Sequence, residues 1–506
     1  MAHSVISPAQ APSELSGWRN YLTRDLSCGL LFTLLAFLVM GYHPGLEDDG
    51  VYLTAVKADL NPALFPHNSD FFRLQLQATQ FDRWMADFVR LTRMPVDWAE
   101  LLWQLVSLFL ILWAAKKIAG LLISDERAQW AGVALLAAMF TLPVAGTALC
   151  LVDQHLHPRN IATAMILLAI WQILEKRYGR AALLLAIAFL LHPLMAAMGV
   201  SFCFFLVLTN SILVRKEIHL GRGLAAAVPL GWVFEGADPS WRQALDTRTY
   251  YYLYKWTWYE WLGALAPFLF FWLLWRHAHK RGETVLARFA LAVFAYGIFH
   301  QALAMALLGS PALVRLTPFQ PMRYLHLLYF LFVLTSGCLL GKYVLRRSIW
   351  RWSVFLLLAN GCMFAGQRTE FAGSPHMELP GRSPSNPWLQ AFNWIKANTP
   401  VSAYFALDPH YLEAPGEDFH SFRALAERSS LADAVKDTAV VTMVPELGKA
   451  WADQLQAQAG FRNFTLADFE RLKSQYDVTW ALVSNPQPPG LDCRWHNQSL
   501  TVCRIP

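Results

Sequence analysis

The sequence predicts an α-helical polytopic membrane protein that carries a C-terminal α/β domain. Apolar residues make up 55% of the 506 residues and charged residues only 15%, whereas charge is about a quarter of an ordinary soluble domain. Apolar runs close to the ~20 residues needed to cross a bilayer recur over the first three quarters of the chain. Beyond the linker at 367–386, hydropathy falls and helical and strand-like segments alternate, as in a packed α/β unit.

These apolar runs predict about eleven spans, and some of them are short. The first run has no small-residue cleavage site, so we interpret it as a retained span and not as a removed signal. The chain then divides into a polar tail (1–25), a transmembrane domain (26–366), a Pro/Gly/Ser-rich linker (367–386) and the C-terminal domain (387–506). The predicted spans are 26–41, 97–115, 128–149, 160–174, 180–191, 194–214, 223–234, 260–275, 285–307, 324–341 and 350–366.

Basic residues concentrate in alternate loops, which indicates the orientation by the positive-inside rule. With an odd number of spans, these loops and the N-terminus are cytoplasmic, and the other loops and the C-terminal domain are external. We therefore predict a multi-pass protein of a bacterial inner membrane with a periplasmic C-terminal domain. The cytoplasmic basic residues are Lys116, Lys117, Arg127, Lys176, Arg177, Arg180, Arg215, Lys216, Arg222, Arg276, Lys280, Arg281, Lys342, Arg346, Arg347 and Arg351.

The first external loop, 42–96, begins with three consecutive carboxylates, Glu47, Asp48 and Asp49. Carboxylates at the edge of a bilayer are costly and usually functional. Apolar stripes over 51–60 and 71–88 follow at helical spacing. They predict two amphipathic helices lying on the outer leaflet, or alternatively helices packed on a neighbouring domain.

Two other external segments have distinctive compositions. The loop 235–261 is rich in Tyr and Trp, which favours either an interfacial belt or an aromatic wall for a sugar or polyprenyl chain. In the C-terminal domain the patterns predict helices over 387–398, 425–436, 449–459 and 466–475, and strands over 403–407, 440–444, 478–483 and 499–505. Cys493 and Cys503 lie on what look like two adjacent strands, and an external location would allow a disulfide between them.

The order of these features resembles the GT-C superfamily of integral-membrane glycosyltransferases, which includes oligosaccharyltransferases, protein mannosyltransferases and aminoarabinose transferases. The resemblance rests on the acidic residues Glu47-Asp48-Asp49 with the helices after them. It rests also on His157-Pro158-Arg159-Asn160, a span, the basic turn 176–180, a further span and Leu191-His192-Pro193. The third part is a domain that opens with Trp394-Ile395-Lys396-Ala397-Asn398-Thr399-Pro400 and closes with Tyr476-Asp477-Val478-Thr479-Trp480-Ala481-Leu482-Val483. An oligosaccharyltransferase-type Trp-Trp-Asp signature is not matched in the tail, which argues against asparagine-linked glycan transfer.

This resemblance implies transfer of a sugar, with inversion, from a polyprenyl-phosphate carrier to an acceptor. Asp48 or Asp49, with Glu47 beside them, is the candidate base, and we expect a raised pKa for a carboxylate between lipid and other carboxylates. The alternative is that Asp48 or Asp49 caps the helix that begins near Gly50. The resemblance favours one acidic residue of the three without saying which.

A second polar cluster, Asp153, His155 and His157, lies in the next external loop. Together with the first carboxylates it could hold a divalent cation, Mg²⁺ or Mn²⁺ by its carboxylates and Mn²⁺ or Zn²⁺ by its imidazoles. Each histidine is alternatively an ordinary hydrogen-bonded interfacial side chain. Family members differ in their use of a metal, and the sequence leaves the choice open.

Phosphate binding requires cations on the external side, where the sequence offers few. Arg159 and Arg323 each lie where an external loop enters a span, and a guanidinium can bind phosphate through two hydrogen bonds. Both alternatively snorkel to lipid headgroups. His192, at an external span end, is a candidate supporting partner of the site.

Two other classes of function compete with sugar transfer. One is a flippase or transporter for lipid-linked glycans, although such proteins usually place ionisable residues in mid-span, and the spans here contain almost none. The other is a non-catalytic envelope-assembly protein on the same scaffold. Nucleic-acid binding is excluded, because no Lys/Arg cluster interleaved with aromatic residues occurs.

Overall fold

A computed structural model describes residues 14–77, 79–213, 236–309 and 311–506. Most of these residues up to position 370 are helical. The helices there are α1 (Glu14–Met40), α2 (Tyr52–Leu60), α3 (Asp70–Leu76), α4 (Phe81–Thr92), α5 (Val96–Leu122), α6 (Glu126–Ala138), α7 (Pro158–Leu174), α8 (Tyr178–Leu191), α9 (Pro193–Leu213), α10 (Pro239–Asp246), α11 (Trp258–Lys280), α12 (Thr284–Leu308), α13 (Tyr324–Leu340) and α14 (Ile349–Glu370).

Several of these helices are membrane-spanning elements, and the chain is a multi-pass membrane protein as predicted. Among the described residues, four helical stretches are long and apolar enough to cross a bilayer: Val96–Leu122, Thr284–Leu308, Ala312–Leu345 and Ile349–Glu370. The predicted span 223–234 lies outside the described residues, and each of the others falls on a helix. The predicted span 128–149 is too long, because α6 ends at Ala138 and a hairpin of β1 (Pro143–Val144) and β2 (Leu149–Cys150) follows.

Two of the apolar helices, α6 and α13, approach each other through glycine. A Cβ on Gly132 would lie 2.5 Å from the Cys338 Sγ atom, and a Cβ on Gly337 would lie 2.8 Å from the Gly132 Cα atom. Small residues allow this kind of backbone approach, which supplies van der Waals packing where lipid removes the hydrophobic driving force. The pair therefore forms a close contact inside the helical bundle.

The first loop folds into three helices and not into two helices lying on lipid. Residues Tyr52–Ala58 of α2 are all buried, and the Lys57 Nζ donates to the Ala424 carbonyl oxygen at 2.8 Å. The predicted single helix over 71–88 is divided into α3 and α4. The prediction of interfacial helices is therefore wrong for α2, and the alternative of packing on a neighbouring domain holds, because the C-terminal domain covers this helix.

The C-terminal part is an α/β domain built on one mixed sheet, as the alternating pattern predicts. Strands β3 and β4 pair in parallel with each other, β3 also pairs in parallel with β5, and β7 pairs antiparallel with both β5 and β6. Its elements are α15 (Pro387–Asn398), β3 (Tyr404–Ala406), α16 (Phe422–Ala426), β4 (Ser429–Ser430), α17 (Lys436–Met443), α18 (Gly448–Ala457), α19 (Leu466–Tyr476), β5 (Trp480–Ser484), β6 (Asp492–His496) and β7 (Leu500–Arg504).

Two elements of this domain differ from the predictions. The predicted helix 425–436 contains the end of α16 and strand β4, and the predicted strand 440–444 lies mostly within helix α17. The Val440-Val441 pair looks like a strand, but the Asp433 carboxylate accepts from the Val435 amide at 2.8 Å and so begins a helix there. Local hydrogen bonding therefore overrides β-propensity at this place.

A disulfide links two strands of the C-terminal domain, and backbone contacts join the segment before the domain to the first loop. Cys493 and Cys503 are directly opposite on β6 and β7 and form a disulfide, which is the predicted pairing. The predicted linker 367–386 is not a free linker, because Met377 forms a β-bridge with Tyr42 and the Glu378 amide donates to the Tyr42 carbonyl oxygen at 2.9 Å. The domain is thereby held against the first loop.

The glycine contact gives a test of the helical bundle. We expect Gly132→Leu to destabilise the protein by about 1–3 kcal/mol, because the new side chain would overlap the backbone of α13. The matched control is Gly361→Leu on α14, where a Cβ would meet no atom within 4 Å. Thermal melting of both variants in detergent checks this, and equal melting temperatures would contradict the packing.

Candidate functional site

A cavity of about 450 Å³ lies where the first loop, the membrane helices and the C-terminal domain meet. Its volume falls within the ~300–1,000 Å³ typical of small-molecule sites. Six separate parts of the chain supply its polar wall, and most of the predicted site residues are among them. The polar wall residues used below are Glu47, Asp48, His157, Arg159, His192, Arg248, Tyr250, Tyr251, Gln320, Arg323 and Lys436.

Asp48 is the acidic residue that is most closely held at this cavity. It lies in a single 3₁₀ turn, Glu47–Gly50. The Lys436 Nζ donates to one carboxylate oxygen at 2.9 Å, and the His157 Nε2 lies 3.1 Å from the other. A third of the side chain remains exposed, so the carboxylate keeps free lone pairs towards the cavity.

The tautomer of His157 follows from its hydrogen bonds. Its Nδ1 accepts from the Arg159 amide at 2.9 Å, which also caps helix α7. The Nε2–H is therefore the donor to Asp48. Burial, together with the nearby Arg159, lowers the pKa of His157 to about 4, so the imidazole is neutral at pH 7 and positions Asp48 without adding charge.

The pKa values of the two aspartates diverge. Burial alone would raise the pKa of Asp48, but Lys436, His157 and Arg159 outweigh burial and hold it well below the ordinary value. The expectation of a raised pKa is therefore wrong for Asp48, which is ionised at neutral pH. For Asp49 burial prevails and its pKa is raised.

Asp49 faces away from the cavity. It is 2% exposed, accepts from the Gly45 amide at 2.8 Å and lies near the buried Glu100 carboxyl group on α5. Neither Asp48 nor Asp49 caps α2. The N-cap residue of this helix is Val51, and no side-chain capping hydrogen bond forms there. The capping alternative is therefore wrong, and Asp49 holds the shape of the turn that presents Asp48.

Asp153 neutralises Arg159. The Arg159 Nε donates to Asp153 at 3.2 Å, and the Nη2 donates to the other carboxylate oxygen. Burial opposes ionisation of Asp153, but Arg159 outweighs it and lowers the pKa of Asp153 to about 2. Arg159 is 3% exposed and still reaches the cavity wall.

The predicted cation cluster does not come together. Protein cations already occupy the carboxylates, Arg159 at Asp153 and Lys436 at Asp48. His155 is buried 4.0 Å from the Asp49 carboxylate, outside the cavity wall. Fixed positive side chains therefore stand where a metal ion would need free ligand atoms, and we derive no step through a metal here.

Two further guanidinium groups give the cavity its anion-binding character. Arg323 donates to the Gln320 side-chain oxygen, and Arg248 donates to the Val435 carbonyl oxygen. Within the described ranges, neither forms an ion pair with a carboxylate. Both side chains are half-buried, and a half-buried cation without a fixed counter-ion suits the binding of an anionic group.

Several wall residues escaped the sequence analysis. Lys436 lies at the start of α17, and nothing in the local pattern marks it as a partner of Asp48. Tyr250 and Tyr251 belong to the aromatic loop, and they line the cavity whereas Trp258 and Tyr259 are exposed. The exposed residues fit the predicted interfacial belt and the lining residues fit the predicted aromatic wall, and both interpretations stay predictions.

The buried pair of Arg159 and Asp153 supports the whole site. We expect Asp153→Asn to cost about 3–5 kcal/mol, because it leaves a buried cation without its partner. The matched control is Asp246→Asn, which breaks the exposed pair with Arg242 and is expected to cost no more than about 1 kcal/mol. Thermal unfolding in detergent measures the difference, and equal costs would contradict the burial of the pair.

The same pair gives a pH dependence with a defined sign. The pKa of Asp153 is about 2 in the folded protein, below the ordinary value of about 3.9. Its contribution to stability is therefore present above about pH 4 and is lost as the pH falls towards 2. The melting temperature of Asp153→Asn should change less over that range than that of the wild type, and parallel curves would contradict the assignment.

Comparisons with known proteins give a loose structural likeness and no match in sequence. No family model matches the chain, and no curated protein matches it in sequence. Among solved structures it is similar to the archaeal oligosaccharyltransferase AglB from Archaeoglobus fulgidus, in complex with an inhibitory peptide and a dolichol-phosphate, with 11% identity, a TM-score of 0.45, and coverage of 91% of this chain and 69% of that one. It is also similar to the Archaeoglobus fulgidus oligosaccharyltransferase in the apo form, with 12% identity, a TM-score of 0.44 and the same coverage. Both TM-scores are below 0.5, so we base the function on the residues of this chain.

Proposed function

We propose that the protein is a membrane glycosyltransferase that moves a sugar from a polyprenyl-phosphate carrier to an acceptor. One observation carries the proposal: an ionised carboxylate, Asp48, shares a single cavity with Arg323 and Arg248, which have no carboxylate partner in the described parts of the chain. A base and an anion site on one cavity are what transfer from a sugar phosphate requires.

The carboxylate acts on the acceptor. Its free lone pairs accept a hydrogen bond from the acceptor hydroxyl, while Lys436 and His157 fix its direction. As the bond from the acceptor oxygen to the anomeric carbon forms, the bond from that carbon to the phosphate oxygen breaks and the proton passes to Asp48. Attack from the face opposite the phosphate inverts the anomeric centre.

The cations act on the leaving group. Polyprenyl phosphate departs with its negative charge, and Arg323 and Arg248 stabilise that charge. Arg159 contributes less, because Asp153 already neutralises it. Tyr250 and Tyr251 add a wall suited to a sugar ring, since apolar sugar faces pack well on aromatic rings.

The carrier lipid has an apolar path out of the cavity. Pro193 and Leu194, at the start of α9, line the wall next to the end of α8. On α8, Phe189 is 58% exposed and Leu190 is 53% exposed, as expected for residues that face lipid. We place the polyprenyl tail along this face, so that its phosphate reaches the cavity from the bilayer.

The orientation is part of the proposal. The cavity and the C-terminal domain lie at the same end of the helical bundle. The loops rich in Lys and Arg that the structure describes lie at the other end, and the positive-inside rule places those loops in the cytoplasm. We therefore propose that transfer takes place on the outer face of a bacterial inner membrane.

Asp48→Asn tests the base. We expect cells with this variant to accumulate lipid-linked sugar and to lose the matching envelope glycan, as cells without the gene do, because the amide cannot take the proton. Mass analysis of both pools measures this. Asp87→Asn, an exposed carboxylate in the same loop that pairs with Arg90, should restore both pools, and restoration by Asp48→Asn would contradict the role of the base.

Arg323→Gln tests the phosphate site. We expect about a 10-fold or greater loss of affinity for a polyprenyl monophosphate, since a hydrogen bond to a charged group is worth about 1.5–3 kcal/mol. The unphosphorylated polyprenol should bind the wild type and the variant equally. Native mass spectrometry of the full chain measures both, and unchanged affinity for the phosphate would place it elsewhere.

A further inference from the structure

Three side chains from distant parts of the chain meet in a buried cluster outside the cavity. His43 follows α1, Glu378 lies in the segment 367–386, and His420 belongs to the C-terminal domain. The His420 Nε2 lies 2.9 Å from the Glu378 Oε2, and the His43 Nδ1 lies 3.6 Å from the same oxygen. One ligand atom from each residue falls within 4.8 Å of the other two.

The hydrogen bonds around His420 place two hydrogen-bond acceptors against each other. Its Nδ1 donates to the Glu417 carbonyl oxygen at 2.9 Å, so in the neutral ring the Nε2 carries a lone pair. That lone pair points at a carboxylate oxygen, which is also an acceptor. A cation must stand between the two acceptors, either a proton on the ring or a metal ion.

His43 distinguishes these two cations. The side chain is 0% exposed, and neither ring nitrogen has a hydrogen-bond partner among the described residues. A proton on His420 would satisfy the pair with Glu378 and leave His43 buried without a partner, which is costly. A metal ion gives one ligand atom of each of the three side chains a partner at once, including one ring nitrogen of His43.

We propose that His43, Glu378 and His420 bind one divalent transition-metal ion, with Zn²⁺ as the ion that suits them best. Two imidazoles and one carboxylate are a known zinc ligand set. The Nδ1–H of His420 donates to a backbone carbonyl, as the second nitrogen of a metal-bound histidine usually does. The His43 ring is held by stacking on Phe371, with ring centroids 4.2 Å apart.

An ion can reach this cluster from a second cavity. Glu378 lines a cavity of about 320 Å³, separate from the first, whose rim includes the exposed residues Gly381, Arg382 and Ser383. One of the three proposed ligand residues therefore borders a cavity that opens at the surface, which is a route for metal loading.

The metal would clamp the junction that carries the turn with Asp48. His420 forms a β-bridge with Leu46, and the Glu47 amide donates to the Phe419 carbonyl oxygen at 2.9 Å. Glu47, Asp418 and Phe419 have φ angles of 43°, 63° and 62°. Such left-handed conformations in non-glycine residues persist only where surrounding contacts over-determine them. This inference does not depend on the proposed function.

Zinc binding by the full-length chain tests the proposal. The protein is purified in detergent with a tag free of histidine, dialysed against a chelator, and then equilibrated with Zn²⁺. We expect about one Zn²⁺ per chain in the wild type, with a rise in melting temperature, because a bound metal adds to folding stability. A wild type that binds no zinc overturns the proposal, whatever the variants do.

Variants place the ion. We expect His43→Gln and Glu378→Gln each to weaken zinc binding at least about 10-fold and to lose the zinc-dependent rise in melting temperature. His410→Gln, an exposed histidine of the same domain, should bind as the wild type does. Loss of zinc in Asp48→Asn but not in His43→Gln would put the ion in the first cavity and would overturn the proposal. If neither cluster variant folds, the wild type is loaded with Co²⁺ and its visible absorption spectrum is recorded. Absence of the bands expected of a low-coordinate site with nitrogen ligands overturns the proposal as well.

Discussion

The ion pair between Lys436 and Asp48 joins the C-terminal domain to the first loop at the wall of the cavity. Burial opposes ionisation of Asp48, and Lys436 is the largest of the attractions that outweigh burial and hold the pKa of Asp48 below its ordinary value. The pair lies half-shielded from water, where attraction between charges is stronger than in bulk solvent. One contact between two segments that are 388 positions apart in sequence therefore sets much of the charge of the site.

Each charged side chain that we assign a role at the cavity has a partner or a proposed ligand. Asp153 neutralises Arg159, and Lys436 neutralises Asp48 and Glu47. Arg323 and Arg248 remain for an anion. Charges near a bilayer are tolerated when they are paired or face a water-filled cavity, so this arrangement is a physical reason for the cavity to form at the rim of the membrane and not within it. It also separates the base from the cations that receive the phosphate.

The sequence predicted the helical membrane part and the domain because long apolar runs and alternating patterns are strong, local signals. It also brought Asp48, His157, Arg159, His192 and Arg323 into one site, through the resemblance and the external loops.

Other features escaped prediction because they depend on tertiary contacts. The burial of α2 arises from the domain that covers it, and the low pKa of Asp48 arises from Lys436, far along the chain. Arg159 and Lys436 pair with the carboxylates that were expected to bind a metal ion. This pairing is visible only when the three-dimensional positions of the carboxylates and the cations are known. The prediction of a strand at Val440-Val441 was wrong for a local reason. Hydrogen bonding to the Asp433 carboxylate begins a helix there and outweighs the β-propensity of the two valines.

The most direct test of the account is a cryo-EM structure of the full chain with a non-transferable polyprenyl-phosphonate sugar bound. The account predicts that the phosphonate oxygens lie about 3 Å from the Arg323 guanidinium, within hydrogen-bond distance, with the anomeric carbon between that group and the Asp48 carboxylate. A phosphonate bound outside the cavity, or an anomeric carbon turned away from Asp48, would contradict the account.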